Sequence, residues 1–167
     1  MGKQEIERKF LVVGDGWPRD NGVDIEQGYL HSSESVTVRV RIADCVGWLT
    51  IKGRPSGPVR DEFEYQIPLE DAQALLELCG NRRVKKCRYR IAHGNFTWEL
   101  DVFGGDNAGL VMAEIETDSE AALARAVAQR PAWAGRDVSE DSRFHNSSLA
   151  KTPFGTWPEA ERQALAE

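Results

Sequence analysis

The sequence predicts an α+β fold: a closed eight-stranded antiparallel β-barrel with a polar, charged lumen, clad outside by three to four α-helices. Three observations predict it. Apolar and polar residues alternate with period two through eight separate segments. The polar side of that alternation is charged almost throughout, in same-sign pairs two residues apart: Glu5/Glu7, Arg39/Arg41, Glu62/Glu64, Lys86/Arg88, Glu99/Asp101 and Glu114/Glu116. Amphipathic helices interrupt and follow the strands, and these are the partners an apolar barrel exterior needs.

The strands fall at residues 3–13, 25–32, 36–44, 46–53, 59–68, 82–92, 95–103 and 110–117. Turn chemistry separates them. Asp15-Gly16 and Asn21-Gly22 flank one loop, residues 53–58 (Gly-Arg-Pro-Ser-Gly-Pro) form another, and His93-Gly94-Asn95 suits a hairpin. A helix over 69–79 places Ala72, Leu75, Leu76 and Cys79 on one face and stops at Gly80. A second over 119–130 starts at Ser119 and ends before Pro131. A third is expected over 139–151 from Ser139, with Asp137 and Asp141 as first-turn or capping charges. A tail helix is expected over 158–167 with Pro158 at its first position. No linker or repeat divides residues 1–167, so one domain is expected.

Parity assigns the faces. Glu5, Glu7 and Lys9 share one side of the first strand; Arg39 and Arg41, Thr50 and Lys52, and Arg60, Glu62 and Glu64 do so on later ones. Lys86, Arg88 and Arg90, Glu99 and Asp101, and Glu114 and Glu116 complete the set. An antiparallel sheet with one wet face also alternates, so a sandwich with its charges outside is the competing architecture. Like charges held side by side repel, and only opposite charges on neighbouring strands or a bound ligand offset that. A lumen built from them must be paired, hydrated or ion-filled. Clustered carboxylates suit Mg²⁺ or Mn²⁺, and clustered Arg and Lys suit phosphate, so both together suggest a polyanion bound with divalent metal.

The net charge of −6 argues against a general nucleic-acid binder. Three cysteines without metal-ligand spacing make a zinc site or disulfide framework unexpected. No signal peptide or membrane-length apolar run is apparent, so a cytoplasmic protein with no membrane partner is expected. Oligomeric state is left open, a homodimer among the options.

Glu5-Ile6-Glu7-Arg8-Lys9 resembles the E-x-E-x-K opening strand of the CYTH superfamily, the triphosphate tunnel metalloenzymes. The segments Gln27–Leu30, Val38–Arg41, Leu49–Gly53, Glu62–Tyr65, Val84–Tyr89, Trp98–Phe103, Ala113–Glu116 and Arg143–Ala150 follow that family's order, so the resemblance spans residues 3–151. It implies an eight-stranded tunnel acting on triphosphates with Mg²⁺ or Mn²⁺. Carried over, Glu5, Glu7, Asp101, Glu114 and Glu116 become metal carboxylates, and Lys9, Arg39, Arg41, Lys52, Lys86 and Arg88 phosphate ligands. Glu62, Glu64, Glu99, Arg60 and Arg90 are left as second-metal ligands or braces.

The reaction this implies is hydrolysis of inorganic tripolyphosphate to pyrophosphate and phosphate, the small-molecule triphosphate being the expected partner. Adenylate cyclase, thiamine or nucleoside triphosphatase, and a non-catalytic polyphosphate-binding module are the alternatives. Tyr29 is either a general base, its pKa lowered by Lys52, or a lining hydrogen-bond donor. His31 and His145 read as structural or solvated. Lys151 is placed within reach of the tunnel, Arg143 beside a barrel carboxylate, and the tryptophans outside except Trp48, near a mouth.

Overall fold

The computed structural model describes residues 3–165. The expected strands form as β1 (Lys3–Val12), β2 (Val23–Ser32), β3 (Thr37–Ala43), β4 (Val46–Lys52) and β5 (Val59–Ile67), then β6 (Arg83–His93), β7 (Phe96–Phe103) and β8 (Val111–Glu116). Every pairing is antiparallel, in the order β5-β4-β3-β2-β6-β7-β8-β1, and β1 pairs back onto β5 through Lys3↔Glu62 to Ile6↔Val59. The barrel is therefore closed, which removes free sheet edges.

A ninth strand, β9 (Ala134–Asp137), was not expected. Pairing with β5 ends at Ile6, so the far half of that edge of β1 needs another partner, and β9 supplies it opposite Phe10 and Val12. At the junction the Glu7 amide donates to Pro58 O (3.2 Å), and the Lys9 amide to Ser139 Oγ (2.8 Å). Four residues reading Ala-Gly-Arg-Asp carry no alternation by which a strand could be read.

The helices clad the apolar exterior as expected. α1 (Leu69–Cys79) buries Ala72, Leu76 and Cys79 against Val40, with Leu30, Ile42 and Ile67 around them. Gly28 permits this approach: a Cβ there would lie 2.7 Å from Cys79 Sγ. Gly80, at φ 60°, ends the helix in a conformation glycine adopts without strain. α2 (Glu120–Ala128) is capped by Ser119 Oγ, which accepts from the Ala122 amide at 3.2 Å. Its Leu123 and Ala126 pack on Ile6, Phe10, Trp98, Ala113 and Ile115. Each large side chain buried in this way contributes about 1.5–3 kcal/mol.

The C-terminal region departs from expectation. In place of one helix over 139–151 there is a 3-10 turn at Ser142–Phe144, then α3 (Asn146–Lys151). Asp141 caps the turn by accepting from the Arg143 amide (3.1 Å), while His145 is extended (φ −67°, ψ 137°) and breaks the run. Ser139 starts no helix, because its hydroxyl serves the β1–β9 junction and Asp137, itself a strand residue. The tail forms α4 (Glu159–Ala164) with Pro158 as its cap, one position earlier than expected. Residues 166–167 of the expected tail, and residues 1–2 of the expected domain, lie outside the described residues.

At one end the lumen faces of β1, β6, β7 and β8 change character. Beyond Lys9, Lys86, Asp101 and Glu114 the next inward positions are Leu11, Val84, Phe103 and Met112. Phe144, Leu149, Phe154 and Trp157 pack onto them and plug that end. Trp157 thus fills the plug, and does not cover the barrel wall. Asn107 fastens the segment: its side chain accepts from the Phe154 amide (2.7 Å) and donates to Leu149 O (3.3 Å). Among the described residues no helix is long and apolar enough to cross a membrane.

Candidate active site

Barrel closure resolves the like-charge pairs seen along single strands. Across neighbouring strands the lumen sets opposite charges face to face: Lys9↔Glu114, Arg60↔Glu5, Lys52↔Glu62, Arg88↔Asp101 and Arg90↔Glu99. Two like pairs remain, Glu7↔Glu116 and Glu99↔Glu114, and directly opposed carboxylates call for cations. All of these side chains except Asp101 line one cavity of about 480 Å³.

Three ionic groups organise it. Lys52 Nζ lies 2.6 Å from Glu5 Oε1 and 3.3 Å from Glu62. Glu64 accepts from Arg41 (3.1 Å) and from Thr50 Oγ1 (3.0 Å), which in turn accepts from Arg39 (3.2 Å). The deepest group joins Lys9 to Glu114 (2.7 Å) and Glu7 (3.0 Å), Lys86 to Asp101 (2.6 Å), and Arg88 to Asp101 (2.6 Å), Glu114 (3.3 Å) and Glu99.

Burial alone disfavours each of these charges, and partners decide the outcome. Burial lowers Lys9, but Glu114 and Glu7 outweigh it and its pKa rises. Burial raises Glu114, yet Lys9 and Arg88 hold it well below the usual carboxylate range. Burial and then the Arg88 guanidinium bring Lys86 down to about 8, against the pull of Asp101. Arg88 itself stays high because Asp101 more than offsets its burial.

The expected residues converge, with adjustments. Glu5, Glu7, Lys9, Arg39, Arg41, Lys52, Glu62, Glu64, Lys86, Arg88, Glu99, Glu114 and Glu116 all line the cavity. Asp101 is not among the lining residues: it is fully buried, with Oδ1 on Arg88 and Oδ2 on both Lys86 and Arg88. Both oxygens are thus committed to holding basic side chains. Tyr29 lines the cavity, but burial raises its pKa and outweighs Arg39 and Lys52, opposite to the shift a general base needs. Its hydroxyl accepts from Gln27 Nε2 (3.0 Å), and it stands as a protonated phenol.

Other placements agree in part with expectation. Lys151 is exposed at the end of α3 and does not line the cavity. Arg143 pairs with Asp141 (2.7 Å) and Glu161 (2.9 Å), and so lies beside no barrel carboxylate. His31 is exposed, whereas His145 lines the cavity. Trp48 stays on the lumen side, opposite Arg41 and Gln66. Asn146, which accepts from Lys86 at 3.3 Å, and Thr37 also line the cavity. Thr37 is foreseeable from strand parity. Asn146 is not, because nothing local in the sequence aims that turn inward.

The donor chemistry fits a hard divalent cation: Glu5, Glu7, Glu114 and Glu116 offer only carboxylate oxygens. Among the described residues no three His, Cys, Asp or Glu side chains are gathered to hold a metal as they stand. Lys9 and Lys52 instead occupy Glu7, Glu114 and Glu5.

The chain is 44% identical over 161 residues to an inorganic triphosphatase of Acetivibrio thermocellus, covering 95% of this chain and 100% of that one. It is 36% identical over 149 residues to an inorganic triphosphatase of Nitrosomonas europaea, covering 87% and 96%. The crystal structure of the inorganic triphosphatase NE1496 superposes with a TM-score of 0.64 at 34% identity, over 87% of this chain and 93% of that one. Residues 3–153 match the CYTH domain, and with a charged barrel closed around one cavity the chain belongs to the CYTH domain family.

Proposed function

We propose that this protein hydrolyses inorganic tripolyphosphate to pyrophosphate and phosphate in its lumen, using Mg²⁺ or Mn²⁺. The observation that carries this reading is one cavity inside the closed barrel in which carboxylates and basic groups alternate around the wall, in a chain 44% identical to an inorganic triphosphatase. Glu5, Glu7, Glu114 and Glu116 hold the metal. When bound, such a cation supplies Lewis-acid neutralisation of phosphate charge and acidifies water.

The chain's own side chains do the rest. Arg39 and Arg41 bind phosphate oxygens. Both guanidinium groups line the cavity, where their planar fork suits phosphate oxygens. Lys9, Lys52, Lys86 and Arg88 stabilise charge moving onto the leaving pyrophosphate, as electrostatic partners already fixed in place. Asp101 braces Lys86 and Arg88, Glu64 braces Arg39 and Arg41, and Glu62 braces Lys52. Glu99 braces Arg88 and Arg90. Tyr29 donates a hydrogen bond from its phenolic O–H to the phosphate chain and keeps its proton. Water attacks a terminal phosphorus and gives up a proton to a phosphate oxygen or to solvent, while the bond to the bridging oxygen breaks and its electron pair leaves with pyrophosphate.

Purified protein assayed against tripolyphosphate, ATP and thiamine triphosphate, with Mg²⁺ and then Mn²⁺, tests the proposal. Orthophosphate release fastest from tripolyphosphate and absent with chelator supports it. Cyclic AMP formation from ATP, or tight binding without release under any divalent metal, overturns it.

A further inference from the structure

Arg60 differs from every other cation in the lumen. Each other lumen Lys or Arg has a carboxylate oxygen within 3.7 Å; even the exposed Arg90 lies 3.3 Å from Glu99. Among the described residues Arg60 has none. Its guanidinium is held by two neutral acceptors: Nε donates to Gly53 O at 2.5 Å and Nη2 to Thr37 Oγ1 at 3.1 Å. Glu5 and Glu7 influence it only at a distance, since Lys52 engages the first and Lys9 the second.

That arrangement fixes the position of a positive charge without neutralising it. Arg60 is half-buried and lines the cavity beside Pro55, Gly57 and Pro58 of the β4–β5 loop and His145 of the C-terminal segment. A structural arginine at such a place gains by pairing, and Glu5 stands opposite it in register. The chain gives Glu5 to Lys52 instead and anchors Arg60 on a backbone carbonyl and a buried hydroxyl. An oriented guanidinium with spare donors is a bidentate receptor for phosphate.

Building on the triphosphatase reading, we infer that Arg60 is the anchor for a terminal phosphate of the substrate, at the end of the cavity framed by the β4–β5 loop. Arg39 and Arg41 hold the middle and other end of the chain, and Arg60 supplies the charge that a third phosphate requires. Thr37 and the Gly53 carbonyl act as positioning groups for it.

The test is calorimetric binding of tripolyphosphate and of pyrophosphate, without divalent metal, to the unaltered protein and to Arg60→Gln and Arg60→Lys, with thermal unfolding to verify folding. Losing a charge-assisted phosphate contact weakens tripolyphosphate binding about 10- to 100-fold. Pyrophosphate, short enough to settle on the remaining cations, loses less than about threefold on the same scale. Arg60→Lys keeps the charge but not the fork, and recovers part of the loss. In turnover, KM for tripolyphosphate rises in Arg60→Gln with kcat less affected. Equal tripolyphosphate affinity in Arg60→Gln and unaltered protein overturns the assignment of Arg60 alone, and so do equal losses for both ligands. Failure of the unaltered protein to bind tripolyphosphate both without divalent metal and with one that does not support turnover overturns the triphosphatase reading together with it.

Discussion

Neutralising Asp101 separates a brace from a metal ligand. In Asp101→Asn the amide keeps the shape but loses the charge that faces Lys86 at 2.6 Å and Arg88 at 2.6 and 2.7 Å. All three side chains are withdrawn from water, Asp101 completely. Removing one partner from a buried ionic group leaves uncompensated charge and costs about 3–5 kcal/mol. For a chain of this size that corresponds to a fall in Tm of about 6–20 °C. Lys86 responds as well. Burial and Arg88 already bring it to about 8, and Asp101 is the first of the groups opposing that fall, so the variant lysine titrates lower still. The assay is urea and thermal unfolding in chelator, with exposed Glu116→Gln as the comparison. Asp101→Asn should be strongly destabilised without metal, and Glu116→Gln by less than about 1 kcal/mol, as for an exposed site. Metal-free stability of Asp101→Asn within about 1 kcal/mol of the unaltered protein would refute the bracing role.

Three further outcomes follow from the same contacts. Tyr29→Phe should lower kcat about tenfold, as for loss of one hydrogen bond, and leave the limbs of the pH–rate profile in place; loss of a limb would mark Tyr29 as a general base. Gly28→Ala should destabilise by about 1–3 kcal/mol, because its Cβ meets Cys79 Sγ at 2.7 Å, and Gly28→Ala/Cys79→Ala should recover part of that in a double-mutant cycle. His145 is lowered by burial and then by Lys9, so the unfolded chain takes up its proton first as pH falls. Its contribution is present above the unfolded value of about 6.5 and is lost as pH falls through the folded value; His145→Gln should flatten the loss of stability below about pH 6.5.

The barrel was legible because most of its strands alternate charged and apolar residues along part of their length. Glu5, Glu7 and Lys9 share one face of their strand, as Arg39 and Arg41 or Lys86 and Arg88 do on theirs, and amphipathic helices to cover the apolar faces favoured a shared lumen over an outer surface. The pairing of those charges was not legible. Register across non-consecutive strands, β1 with β5 and β2 with β6, sets Glu5 against Arg60 and Ile25 against Lys86, and no local pattern carries that information. Parity therefore grouped Asp101 with Glu114, although only Glu114 reaches the cavity. The C-terminal segment was misread for a different reason. Ser139 and Asp141 carry helix-start chemistry, but Ser139 spends its hydroxyl on β1, and His145 takes an extended conformation that lets the chain turn over the barrel end. Tertiary demand overrode local propensity there.

A structure of the protein grown with tripolyphosphate and a divalent cation that does not support turnover probes the central claim most directly. Phosphate density threading the lumen in contact with Arg39, Arg41 and Lys52, with the cation on Glu5, Glu7, Glu114 or Glu116, is the predicted result. Ligand bound on the outer wall while the lumen holds only solvent, in a protein that turns the substrate over, would contradict it.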